Sequence, residues 1–234
     1  MKKILAVFLS IALILGIFSS VSFAAYKDIP NNASYKSAVE RLTKLGLMVY
    51  KDKFSPNAFV TRGELAQIIV SISNNDDQAS LYSGYSQYPD IKANTKLAGC
   101  VNYVVQKKLM TALADNKFHP NDPLTFAQAT TALVRLLGYS DTDLTGIWPQ
   151  NYMDKAMELG IIKGFTISSS QKVPRWAMAL MLDRLLDTNI KSSGMNDQPK
   201  KFYQSTGLFE EHIVLDTSKT SSKLLSDEVM TEGG

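Results

Sequence analysis

VTRGELAQII, residues 60–69, is the stretch on which the fold turns. Thr61 followed by Glu64 has the spacing of a capping box. The hydroxyl takes a free amide of the first turn, and the carboxylate reaches back to the cap residue's own amide. Leu65, Ile68, Ile69 and Ile72 recur at helical spacing, so one face is apolar. The pattern predicts an amphipathic helix opening at Thr61. It leaves Arg62 without a role, because a cation in the first turn opposes the helix macrodipole.

The same grammar recurs along the chain. Tyr26-Lys27-Asp28-Ile29-Pro30 precedes an amphipathic segment with Tyr35, Ala38, Val39, Leu42 and Leu45. Gly46 then acts as a C-cap, and the loop KFSPNAF leads into the TRGE helix. Tyr88-Pro89-Asp90-Ile91 starts a second copy. It has Leu97, Val101, Val104 and Val105 on its first helix, the loop KFHPNDPL, and a second helix opened by Thr125-Phe126-Ala127-Gln128. A third, looser copy runs from Tyr152, Ala156 and Leu159 through Gly160-Ile161 to Val173-Pro174-Arg175-Trp176-Ala177.

Each unit is too small to bury its own apolar faces, so the three must share one core. The expected architecture is all-α, with three helix-loop-helix units at 26–73, 88–138 and 147–190 around a pseudo-threefold axis. Polar linkers fall at 74–87 and 138–146. Residues 191–234 read as a linker and tail, partly disordered or β-like, with HIVL and KLL as short strands. The ending Glu232-Gly233-Gly234 suggests the approach to a further domain.

Composition narrows the function. The 234 residues are 45% hydrophobic and 20% charged, as in an ordinary globular protein. MKK, the apolar run 4–18 and the small residues before Ala24 form a signal peptide, expected at 1–24. Without Lys2 and Lys3 the formal charge falls from +3 to +1, with no basic stripe of the kind a nucleic-acid binder shows. Cys100 is the one cysteine, which precludes a disulfide within the monomer, and its apolar context makes it a core residue rather than a nucleophile.

These repeats resemble the S-layer homology family, whose units combine an aromatic-x-Asp-Val/Ile opening, an aromatic on the first helix, Gly-Ile/Leu, Phe-x-Pro and Thr-Arg-Ala-Glu. The likeness runs from residue 26 to about 190. It implies a three-pronged helical fold and non-covalent anchoring of exported proteins to the bacterial cell wall. The implied ligand is secondary wall polysaccharide, often carrying pyruvate ketals, held in grooves between repeats. A ketal carboxylate suits a guanidinium and the free amides of a helix N-terminus. The resemblance therefore marks Arg62 and Arg175 as ligand contacts, while Phe126 at the same place in the second copy cannot neutralise a carboxylate. Asp28 and Asp90 fit either hydroxyl recognition or a turn role. Tyr35 and Tyr152 fit either sugar stacking or the core, as do Trp148 and Trp176 more weakly.

An enzyme reading finds few groups. His119 and His212 are isolated, there is no HExxH, CxxC or phosphate loop, and no cofactor is expected. Asp141 to Gly146 imitates the start of a calcium loop but has Tyr152 where a bidentate glutamate belongs. The favoured expectation is a carbohydrate-binding wall anchor at the cell surface, without catalysis. The alternative is a wall hydrolase or other surface enzyme of which these repeats form only the anchor.

Overall fold

The computed structural model describes residues 26–192, 194 and 197–208. The leader expected at 1–24, the pieces HIVL and KLL, and the end of the chain lie outside them. The described residues hold eight α-helices, α1 Lys36–Lys44, α2 Arg62–Ile72, α3 Asp76–Ser80, α4 Lys96–Gln106, α5 Phe126–Leu136, α6 Gln150–Glu158, α7 Arg175–Leu186 and α8 Phe202–Thr206, and no β-strand.

The threefold axis is written in hydrogen bonds. The residues just before α2, α5 and α7 meet in a closed ring. The Val60 amide donates to Val173 (2.9 Å), that of Val173 to Leu124 (3.0 Å), and that of Leu124 back to Val60 (2.9 Å). All three side chains are fully buried. Three short segments thereby satisfy one another's backbone groups at a buried junction, where unpaired amides and carbonyls are costly.

The helices interlock between repeats rather than within them. α2 packs on α4, α5 on α6, and α7 on α1, so each central helix covers the first helix of the following unit. Arg41 closes the last pairing through ion pairs from α1 to Asp183 (3.1 Å) and Asp187 (2.6 Å) on and just after α7. Leu42, Leu65, Ile69, Leu133, Leu182 and Leu185 are fully buried in the shared core. Burying each such side chain contributes about 1.5–3 kcal/mol, which no single repeat can supply.

Local signals work as read. Both capping boxes form, Thr61 with Glu64 and Thr125 with Gln128. Gly46 and Gly160 take left-handed φ at the ends of α1 and α6, and Lys108 takes the same conformation after α4. Cys100 is buried in the core, and burial pushes its thiol up to about 11.

Two segments read as linkers are built into the fold. Within 74–87, α3 docks on α4 because Gly99 lacks a side chain; a Cβ there would lie 2.5 Å from the Ala79 carbonyl. Buried Asn102 then donates to the carbonyls of Tyr82 (2.9 Å) and Tyr85 (2.8 Å), fastening the rest. Past residue 191 the chain returns. Asn189 bridges Lys201, the Phe202 amide donates to Thr188 (2.9 Å), and Phe202 and Leu208 are buried. A buried aromatic, invisible to helical periodicity in so short a helix, is what anchors this stretch.

Candidate functional site

Each boundary between repeats is built alike. The first two amides of every central helix point at the preceding loop of the next unit. Arg62 and Gly63 donate to Asp122 (3.0 Å) and Pro120 (2.8 Å). Phe126 and Ala127 donate to Gln171 and Ser169 (both 2.9 Å). Arg175 and Trp176 donate to Ala58 (2.8 Å) and Pro56 (3.0 Å). The third amide of α2 and of α5 goes to its threonine cap. The free helix-terminal amides that the resemblance implied are therefore occupied by backbone carbonyls of the same chain. The physical reason is that these ends are buried in the threefold junction, where unpaired amides are costly.

Between repeats 1 and 2, Arg62 is only 4% exposed. Its Nε donates to the Phe118 carbonyl and its Nη2 to that of Thr111, both at 2.7 Å, and its guanidinium lies 4.7 Å from the Phe118 ring centre. Burial lowers its pKa below the usual arginine value, opposed by Asp122 and Asp90. It remains a cation at any physiological pH. It makes no ion pair among the described residues, so its short-range partners are carbonyls.

Between repeats 3 and 1, Arg175 stands differently. Its side chain is 18% exposed, with Nη1 donating to the Phe54 carbonyl (3.1 Å) and Nη2 to Glu64 (3.2 Å). The guanidinium sits 3.7 Å over the ring of Tyr50, and its buried Nε has no partner among the described residues. Burial, then Glu64, holds the Tyr50 hydroxyl well above the usual tyrosine range. Glu64 has two duties, since its other oxygen accepts from the Thr61 amide (2.8 Å) in the capping box. Beside Arg175, Trp176 meets Tyr35 with ring centres 6.2 Å apart. The boundary thus joins a partly exposed cation to half-buried aromatics.

Between repeats 2 and 3 the corresponding residue is Phe126, 2% exposed and edge-on to Phe165 (6.2 Å). Trp148 flanks this turn and donates its indole N–H to Thr131 (3.0 Å).

Asp28 and Asp90 take equivalent places. Asp28 accepts the amides of Phe54 (3.0 Å) and Ser55 (2.7 Å), and Asp90 those of Phe118 (3.1 Å) and His119 (2.6 Å). They fix the loops that cover the helix openings. Against a desolvation cost, the Phe118 and His119 amides hold the Asp90 carboxyl below its ordinary range. In repeat 3 the loop secures itself, the Ser168 amide donating to Gln171 (2.8 Å).

The two tyrosines separate. Counted back from left-handed Gly46, Lys108 and Gly160, Tyr35 falls level with Leu97 and Pro149, whereas Tyr152 falls level with Ala38 and Cys100. Tyr35 is half-buried at a boundary. Tyr152 is fully buried, its hydroxyl donating to Asp141 (2.6 Å) and accepting from Arg135 (3.0 Å). Asp141 is thus tied into the fold, and no cluster of metal-binding side chains occurs among the described residues.

Sequence reasoning missed Tyr50 and Phe165, which lie in loops without helical periodicity. It also missed the second role of Glu64, which the capping-box pattern hides.

Three helical repeats packed cyclically around a closed backbone ring define the class of fold. Residues 25–66 and 87–130, within the first two repeats, match the S-layer homology domain. The third repeat falls outside the matched residues, and its equivalence rests on the closed backbone ring. Over 193 residues, 80% of this chain, the sequence is 32% identical to "Cell surface protein" of Thermoanaerobacter kivui. It is 29% identical to "Middle cell wall protein" of Brevibacillus brevis over 81% of this chain, and 24% identical to "Cellulosome-anchoring protein" of Acetivibrio thermocellus over 57%. The chain spans 25%, 18% and 33% of those relatives' lengths.

Proposed function

We propose that this chain anchors an exported protein to the bacterial cell wall by binding acidic wall polysaccharide at the boundaries between its repeats, without catalysis. The names of the relatives support a cell-surface role. Export rests on the signal peptide read at 1–24, and the modular reading on repeats at 26–73, 88–138 and 147–190.

The observation that carries the ligand assignment is Arg175: partly exposed, paired with Glu64 over the ring of Tyr50, and flanked by Tyr35 and Trp176. A sugar carboxylate would compete with Glu64 for the guanidinium while the sugar's apolar face meets an aromatic ring. Arg62, which has no ion-paired carboxylate among the described residues, adds positive potential at the neighbouring boundary. Asp28 and Asp90 act mainly by holding the loops, with lone pairs left for sugar hydroxyls.

Co-sedimentation of the full chain with purified wall sacculi tests the reading. The protein should pellet with the sacculi and release no sugar or peptide, and Arg175→Ala should weaken retention about tenfold, as loss of one charge-assisted contact predicts. Retention unchanged in Arg175→Ala combined with Arg62→Ala overturns the site, and turnover of the wall overturns the non-catalytic reading.

A further inference from the structure

The backbone ring that closes the fold also has an outer side. Val60, Leu124 and Val173 are fully buried, and side chains alternate along an extended segment, so their chain neighbours face away from the core. Three antiparallel bridges pair those neighbours, Phe59 with Pro174, Thr61 with Pro123, and Thr125 with Lys172. Bridged residues share a face. Phe59 is 51% exposed, Pro123 and Lys172 are exposed, and the other three are partly so. All three repeats contribute to this face, so it belongs to no single boundary.

Its charge is unbalanced. Lys172 makes no ion pair among the described residues. Arg62 and Arg175 follow directly on the bridged Thr61 and Pro174, and of these Arg175 is paired with Glu64. Asp122, beside Pro123, is turned to His119 at 3.5 Å.

We propose that this face binds the C-terminal segment of the same chain, residues 209–234. Ile213, Val214 and Leu215 would lie on Phe59 and Pro123, with the flanking carboxylates at Lys172.

Charge favours that occupant. Residues 26–208 hold 21 Lys and Arg against 16 Asp and Glu, a formal charge of +5, whereas residues 209–234 hold 2 against 6, a charge of −4. Glu210 and Glu211 precede His212-Ile213-Val214-Leu215, and Asp216 follows, so acidic and apolar groups come together as the face requires. Area favours it too. A stable interface between separate proteins buries about 800 Å² on each, more than one phenylalanine and one proline supply. A tethered segment needs less, because it meets its site at an effective concentration of about millimolar. The reach is sufficient. The Phe202 amide bonds to Thr188, just past the end of α7, and α7 opens at the face after a 12-residue span of about 18 Å. Residues 209–216 cover about 26 Å when extended.

Disulfide trapping in the full chain, in a Cys100→Ala background, tests the contact. His212→Cys is combined with Asn57→Cys, exposed two residues before Phe59, or with Gln78→Cys, exposed on α3 beyond the far end of α2. At low salt the Asn57→Cys pair should close within one chain about tenfold faster than the Gln78→Cys pair. Sodium chloride at about 0.5 M should shrink that advantage by screening, and Phe59→Ser should cut it about threefold. Equal rates for the two pairs overturn the proposal, since the segment then meets the surface at random. Cross-links that form only between chains overturn it in favour of a second copy. An advantage untouched by salt overturns the charge assignment, and one untouched by Phe59→Ser overturns the apolar contact.

Discussion

The boundaries holding Arg62 and Arg175 start from the same motif and reach different ends. Both arginines open a central helix and both donate to the carbonyl of the loop phenylalanine, Phe118 or Phe54. The repeat that follows decides the rest. Arg175 meets repeat 1, whose capping residue is Glu64, and gains a counter-ion. Arg62 meets repeat 2, whose capping residue is Gln128, and is bonded to Thr111 instead. One arginine is thus a buried strut without an ion pair among the described residues, and the other a paired, partly exposed group. A repeat motif consequently does not carry a fixed function; its partner residue in the next repeat sets it.

The most direct way to break this comparison is to truncate each arginine in turn and measure unfolding in urea. Arg62→Ala should cost about 3 kcal/mol, because it strips charge-assisted donors from a buried carbonyl and a neighbour. Arg175→Ala should cost about 1 kcal/mol, as for a partly exposed ion pair. Equal losses would erase the distinction between strut and contact.

A second test bears on how closely the repeats meet. A Cβ at Gly63 would lie 2.9 Å from the Pro120 carbonyl, whereas Ala127 already fills the matching position at the next boundary. Gly63→Ala should lower stability by about 2 kcal/mol through overpacking, read as a drop in melting temperature. An unchanged melting temperature would mean that loop 117–124 yields freely.

Smaller effects sharpen the picture. Thr61→Ala and Thr125→Ala should each cost about 1 kcal/mol by loss of the cap, while Pro174→Ala removes no side-chain cap and should cost less. The least effect concerns pH. The folded Asp90 carboxyl titrates below its ordinary value of 3.8. Its contribution is therefore present above that value and is lost as pH falls through the lower folded one. Asp90→Asn should flatten this part of the acid limb in a series of melting curves, and an unaltered limb would deny the loop-holding role of Asp90.

Much of the fold was legible because its signals are local. The capping boxes at Thr61 and Thr125, the apolar stripe of α2 and the turn at Gly46 each depend on residues a few positions apart. The third repeat was legible only in outline, since Pro174 and Ala177 erase the box while the backbone ring still places Val173. The site was half legible. Arg175 and Tyr35 lie at a boundary as the motif suggested, but Tyr152 shares only an aromatic ring with Tyr35 and sits in the core.

By itself the sequence determined three amphipathic helix pairs, their caps, and the need for a shared core, because helix periodicity and capping are short-range chemistry. Tertiary structure alone decided that α1 packs on α7 rather than on α2, that helix-opening amides are closed by neighbouring loops, and that Arg62 grips Phe118 and Thr111. Backbone carbonyls belong to every residue and leave no mark in the sequence, so which of them meets an arginine is fixed only when distant segments come together.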